Sequence, residues 1–196
     1  KLKANGYPIG IAMGQTYDAI STLSAIMWCY GSKTVEADGR TVAINSNATE
    51  AAIEYVKQLY TDAMEPDVLL WDDNSNNRLL LSGKGSWIHN AHSHYLMAKE
   101  KQMPIAEQIY FHLSPLGPAG RHTPTVVRSL GIWKFSKHIE AAKEFIKFHL
   151  SRENYLEFIM ASECFNAPVY KNMEDHPAWK KDPKYEPIRE SGQYGH

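Results

Sequence analysis

The chain has few cysteines and no long hydrophobic run. Its two cysteines, Cys29 and Cys164, are too few for the disulfide framework of a small secreted domain, and no spacing of Cys and His typical of a zinc site accompanies them. The longest apolar run, residues 25–30, is far shorter than the ~20 residues that a membrane-spanning helix needs. The sequence therefore predicts neither a disulfide scaffold nor a transmembrane segment.

The chain also lacks an excess of positive or negative charge. The 21 Lys and Arg residues are balanced by 22 Asp and Glu, and no long basic run concentrates positive charge locally. Because nucleic-acid binding depends on such positive charge, we expect no nucleic-acid partner. With 43% hydrophobic residues, the composition is that of an ordinary soluble globular protein with a sizeable core.

A targeting signal is absent as well. The sequence begins at Lys1 without an initiating Met and without the apolar stretch of a signal peptide. We expect the chain to be an excised fragment, so the missing signal carries no information about location.

The first half of the sequence alternates patterns typical of strands and helices. Residues 7–13 predict a strand, and the helical pattern that follows ends near Gly31. Asp38-Gly39 suits the tight turn of a β-hairpin. Asn47, with Glu50 three residues later, resembles a capping arrangement at the start of an amphipathic helix.

The second half continues this alternation. The patterns predict a helix at 78–81, a strand at 85–90, a helix at 92–101, and strands at 109–113 and 126–135. Two helices are expected after Ser136, the second capped by Ser151. Alternating strands and helices indicate the α/β class, and the hairpin predicts a mixed rather than a purely parallel sheet.

Sequence signatures of catalysis are absent. The chain contains no Gly-x-Gly-x-x-Gly dinucleotide fingerprint, no phosphate-binding loop and no Gly-x-Ser-x-Gly nucleophile turn. The paired carboxylates Asp72-Asp73 and Glu174-Asp175 are sequence neighbours, which seldom approach a bond from opposite sides, and we interpret them as loop charges. We expect no catalytic residue and no cofactor.

A cluster of three histidines is the one group of residues that could bind a metal or transfer protons. His89, His92 and His94 lie within six residues at a predicted strand-to-helix junction, so a metal-dependent hydrolase is the alternative hypothesis. The three rings need not face the same side, and the cluster contains no acidic ligand. The simpler interpretation is that they line a cleft or a helix start.

Several short motifs follow one another in a characteristic order along the chain. They are Asn5-Gly6, Tyr17-Asp18, the helix end at 28–31, the hairpin at 38–39, the helix start at 45–52, and the segments 80–87, 129–132, 137–145 and 165–169. This order resembles the extracellular solute-binding proteins of bacterial ABC transporters, and more narrowly the carbohydrate-binding group that includes maltose-binding protein. The resemblance covers about residues 1–185.

This resemblance implies an α/β, mixed-sheet lobe of a type II periplasmic-binding-protein fold, with helices from the other lobe. Residues 1–131 would form the second, carboxy-terminal-type lobe. Residues 132–170 would cross the hinge into helices of the first lobe, and residues 171–196 would return toward the second. Helices after Ser136 would then lack their natural sheet and leave their apolar stripes exposed.

The resemblance also implies function and partners. The protein would capture a small solute, most simply a sugar or oligosaccharide, by closure of two lobes, and would deliver it to the membrane permease of an ABC importer. It would be periplasmic or extracellular, with or without a lipid anchor, and would not be an enzyme.

The candidate ligand-binding residues lie on loops that the resemblance brings to the cleft. They are Tyr17 and Asp18 after the first strand, Asn90 and His92 after the second, Tyr95 in the next helix, and Arg128 with Ser129 on the hinge strand. Tyr95 or His92 would supply the ring that stacks on a sugar. Structural alternatives stay open: Tyr17 as a packing residue, Asp18 as a helix cap, and Asn90 as a partner of turn backbone.

Overall fold

The computed structural model describes residues 1–170, 173 and 176–195, with the backbone alone at 178 and 179. The described chain forms two compact units. The first consists of residues 1–124 with 191–195, and the second of residues 125–190. The predicted lobe boundaries at 131 and 170 stay predictions.

The first unit contains two short strands and four α-helices. These are β1 (Ile9–Gly10), α1 (Tyr17–Cys29), α2 (Asn47–Ala63), α3 (Ser75–Leu81), β2 (Trp87–Ile88) and α4 (Ser93–Glu100). Short 3-10 helices occupy Lys3–Asn5, Pro66–Leu70, Pro104–Gln108 and Gly192–Tyr194. The described helices include none long and apolar enough to cross a membrane.

The second unit is helical. It contains α5 (Ile139–Leu150), α6 (Arg152–Ala161), 3-10 helices at Pro177–Lys180 and Pro183–Tyr185, and most of α7 (Glu186–Ser191). The predicted loop carboxylates Glu174-Asp175 lie outside the described residues.

The strands β1 and β2 pair in parallel, with Ile9 opposite Trp87 and Gly10 opposite Ile88. The core beside them consists of Ile11, Met64 and Val68, none more than 2% exposed. The strands predicted at 7–13 and 85–90 are both present, but each is shorter than its pattern. The backbone leaves the sheet early, since Met13 N donates to Val68 O at 2.9 Å rather than to a strand.

The capping prediction for α2 was shifted by one residue. Ser46, not Asn47, is the N-cap: its Oγ accepts from Thr49 N at 3.3 Å, and Asn47 is the first helical residue. The correction has a simple cause. A side-chain oxygen at N-cap reaches the N–H three residues on, and Ser46 has the extended backbone that this geometry requires.

The hairpin is present in reduced form. Gly39 has φ +68°, the left-handed value expected at such a turn, and Asp38 Oδ1 accepts from Arg40 N and Thr41 N at 2.9 Å. A single antiparallel bridge, Val35 to Val42, joins its arms.

Two strand predictions were wrong. Residues 109–113 and 126–135 form no strand in the structure. β-branched and aromatic composition favours an extended chain, but a strand also needs a neighbour to complete its hydrogen bonds. The predicted helix at 78–81 is longer than expected, because α3 begins at Ser75 inside the polar run.

Helix α5 buries none of its residues, whereas α6 buries Tyr155 and Ile159. Phe145 and Phe148 on α5 are each 63% exposed. Ser151 occupies the N-cap position of α6, but its hydroxyl donates backward to Phe148 O at 2.8 Å and does not cap the helix.

Candidate binding site

The ends of the two strands bring polar side chains together in the first unit. Because β1 and β2 run parallel, the residues that follow them lie at the same edge of the pair. In open α/β sheets, ligands bind in the crevice outside this carboxyl edge. The loop after β1 leads into α1, and the loop after β2 carries His89 and Asn90.

The start of α1 is fixed by Thr16, whose Oγ1 accepts from Ala19 N at 3.0 Å. Thr16 is therefore the cap, and the alternative that Asp18 caps this helix is wrong. Tyr17 and Asp18 form the first helical turn. Tyr17 is 57% exposed, so its ring is open to solvent rather than packed.

A buried asparagine joins Asp18 to Asn90. Asn76, on α3, is 0% exposed. Its Nδ2 donates to Asp18 Oδ2 at 2.7 Å, and its Oδ1 accepts from Asn90 Nδ2 at 3.2 Å. Asn90 Nδ2 also donates to Asn77 Oδ1 at 2.8 Å. We call Asp18, Asn76, Asn77 and Asn90 the Asn76 network.

A second contact connects the same two segments. Thr22 lies one turn after Asp18 on the same face of α1, and its Oγ1 is 2.8 Å from His89 Nδ1. Asp18 N also donates to Asp73 Oδ1 at 2.9 Å. The start of α1 is thus attached both to the end of β2 and to the loop before α3.

Burial shifts the pKa values of a carboxyl on α1 and of a histidine after β2 in opposite directions. Burial raises the pKa of Asp18, the hydrogen bond from Asn76 opposes this rise, and the charge of Asp73 adds to it. Burial also lowers the pKa of His89, which favours its neutral form. The edge therefore holds a carboxylate that takes up a proton more readily than usual beside a histidine that resists one.

The three histidines do not form a metal site. His89 contacts α1 through Thr22, whereas the rings of His92 and His94 pack 6.1 and 5.9 Å from the Phe111 ring. Within the described part of the chain, no group of three His, Cys, Asp or Glu side chains converges on a point that could hold a metal ion. This arrangement does not favour the hydrolase hypothesis.

Tyr95 and His92 are more buried than a stacking role suggests. They are 5% and 6% exposed, and the Tyr95 ring packs edge-on to Phe111 at 5.4 Å. Their role in binding stays a prediction.

Arg128 and Ser129 lie in the second unit and are exposed. The Arg128 guanidinium lies 5.8 Å from the centre of the Phe165 ring. Residues 126–135 form no strand, so the hinge strand on which the sequence placed both residues is not observed. Both residues stay predicted ligand contacts.

The sequence predicts Asp18 and Asn90 as ligand contacts, and the structure brings both into one network. It did not predict Asn76 and Asn77. Both asparagines lie in the polar run 72–77, which composition alone assigns to a turn. No sequence pattern indicates that one amide of this run is buried.

Residues 1–187 match the model of a family described as bacterial extracellular solute-binding protein. No curated protein matches the chain.

Three solved structures are similar to the whole chain at low identity. A maltose-bound MalE3 of T. maritima has a TM-score of 0.79 at 20% identity, and a cyclic alpha-maltosyl-1,6-maltose binding protein from Arthrobacter globiformis has 0.67 at 16%. A cyclo/maltodextrin-binding protein complexed with maltotetraose has 0.61 at 17%. All of this chain is covered each time, but only 51%, 50% and 49% of those chains. The chain therefore spans about half their length and has the fold of that half.

Proposed function

The chain belongs to the family of bacterial extracellular solute-binding proteins, and from this premise we propose that it supplies one wall of a binding site for a carbohydrate. The protein captures the sugar without chemical change and passes it to the membrane permease of an ABC importer. It acts in the periplasm or outside the cell, with or without a lipid anchor.

The observation that carries this proposal is the Asn76 network beside an exposed aromatic ring. A sugar site needs polar groups that bond hydroxyls and a flat apolar face for the ring. Asp18 and Asn90 supply the polar groups, and the 57% exposed Tyr17 supplies the face. The sugar-bound state of two neighbouring structures supports the same solute class.

We further propose that the chain contributes to two lobes that close over the solute about a hinge. Residues 1–131 belong to one lobe, 132–170 cross to the other, and 171–196 return. The exposed Phe145 and Phe148 support this division, because a helix with an uncovered apolar stripe normally packs on further structure. We propose that further structure of the first lobe covers this stripe. That structure corresponds to the half of the similar solved proteins that this chain does not match. Arg128 and Ser129 lie just before the crossing segment, and we propose them as further ligand contacts.

The test is calorimetric titration of the purified protein with maltose and with maltotetraose, followed by chromatography of the recovered sugar. We expect saturable binding and unchanged sugar. Tyr17→Ala should weaken binding about tenfold, the loss expected for one aromatic contact of about 1.4 kcal/mol. Tyr110→Ala, which removes another exposed tyrosine (67%), should have no effect.

Two results would contradict the proposal: hydrolysed sugar after incubation, or no binding by the wild-type protein. A parallel zinc titration addresses the hydrolase hypothesis, which requires tight uptake of one zinc ion that is lost in His92→Ala. The binding-protein proposal expects no such uptake.

A further inference from the structure

Asn76 is the one Asn76-network member that is completely buried, at 0% exposure. Taking an amide out of water costs free energy unless hydrogen bonds replace those to water. The side chain of Asn76 makes three: to Asp18 Oδ2 and from Asn90 Nδ2 and Asn77 N. Two of these partners come from distant segments of the chain, so the amide joins elements rather than capping its own helix.

Backbone N–H groups fix which way the two amides point. Asn77 N donates to Asn76 Oδ1 and Ala91 N donates to Asn90 Oδ1, both at 2.7 Å. Because a backbone N–H only donates, the oxygen of each amide must face it. The nitrogen of Asn76 therefore faces Asp18, and the nitrogen of Asn90 faces Asn76 and Asn77.

These amide orientations determine which hydrogen-bonding groups at the carboxyl edge of the strand pair remain available to a ligand. Both hydrogens of Asn90 Nδ2 have acceptors, Asn76 Oδ1 and Asn77 Oδ1, so the amide has only its oxygen left to offer. Asp18 is an acceptor when ionised, and Asn76 engages only its Oδ2. Asp18 Oδ1 and Asn90 Oδ1 both have acceptor capacity left for a solute.

We propose that Asn76 is a positioning residue that holds Asp18 and Asn90 as a pair of hydrogen-bond acceptors, so that the site selects solutes that donate two hydroxyl protons. This inference rests on the proposed function and deepens it. Asn76 does not touch the solute and acts through Asp18 and Asn90. Its removal should therefore change affinity in the folded protein and not only stability.

The discriminating variant is Asn76→Asp, which keeps size and the acceptor toward Asn90 but places a second carboxylate against Asp18. Maltose affinity should fall at least tenfold at pH 7.5. It should recover at pH 5, when a proton shared by the two carboxyls restores a donor between them. The other titratable groups of this edge, Asp73 and His89, are present in both proteins. A purely structural role would lower the melting temperature without this recovery.

Asn74→Asp is the matched control. It adds the same charge to the same polar run, at an exposed residue whose side chain makes no cap hydrogen bond to α3. Its maltose affinity should equal that of the wild-type protein at both pH values. Monodeoxyfluoro maltoses, in which fluorine replaces one donor hydroxyl, should bind the wild-type protein at least tenfold more weakly at two positions.

A third readout needs no sugar. Carbon-detected NMR titration of Asp18 should show a higher pKa in Asn76→Asp than in the wild-type and Asn74→Asp proteins. Equal affinity of Asn76→Asp and wild type at both pH values, or no fluorine effect, would overturn the inference. If the wild-type protein binds neither maltose nor maltotetraose, the proposed function fails instead, and the Asp18 titration still reports whether Asn76 controls this carboxyl.

Discussion

Mild acid should destabilise the first unit through His94. This side chain on α4 is 3% exposed, and its ring packs 5.9 Å from that of Phe111. Burial lowers the pKa of His94 from 6.5 to about 4, a hydrogen bond with the Ala91 backbone opposes the decrease, and the charge of His92 adds to it. The folded protein therefore keeps His94 neutral at pH values where the unfolded chain protonates it.

The sign and size of the effect follow from proton linkage. Above pH 6.5 the residue is neutral in both states and costs nothing. Between pH 6.5 and about 4 only the unfolded chain takes up the proton, so the free energy of unfolding falls by about 1.4 kcal/mol per pH unit. The full loss is about 3 kcal/mol, a large part of the ~5–15 kcal/mol that stabilises a typical domain.

Urea unfolding followed by circular dichroism at pH 7.5, 6.5, 5.5 and 4.5 measures this loss. His94→Gln removes the titration, so between pH 7.5 and 4.5 the wild-type protein should lose roughly 2.5 kcal/mol more stability than the variant. His112→Gln, at an exposed histidine of the same unit, should follow the wild type. If wild type and His94→Gln lose equal stability, burial of His94 is not the cause of the acid sensitivity.

Two further predictions concern packing in the first unit, each measured by thermal and urea denaturation. Met64→Ala should lower the free energy of unfolding by about 2–5 kcal/mol, because Met64 is 1% exposed in the core. Leu70→Ala, at a residue that is 90% exposed, should change it by less than about 0.5 kcal/mol. Equal effects of the two substitutions would contradict the assigned core. Gly117→Ala should destabilise by about 1–3 kcal/mol, since a Cβ there would lie 2.5 Å from the carbonyl oxygen of Cys29, whereas Gly131→Ala meets open space and should be neutral. If Gly117→Ala left the free energy of unfolding unchanged, the loop around residue 117 would be able to shift away from Cys29 without loss of stability.

Half of the candidate site could be predicted from sequence because its residues follow recognisable strand ends. Asp18 and Asn90 come after β1 and β2, and parallel pairing brings such positions together. Asn76 could not be predicted, since its burial depends on α1 and β2 approaching α3 from distant parts of the chain. Tyr95 illustrates the opposite case: a ring that the sequence predicts as a ligand contact is only 5% exposed in the fold and packs edge-on to Phe111.

The sequence by itself determined the helices and the family. Helices α2 and α5 follow from apolar spacing and local hydrogen bonds, which need only residues a few positions apart. Tertiary structure alone decided where strands stop, that residues 126–135 stay outside any sheet, and which polar side chain is buried. Strand pairs and buried amides are completed by partners remote in the chain, so no local pattern can specify them.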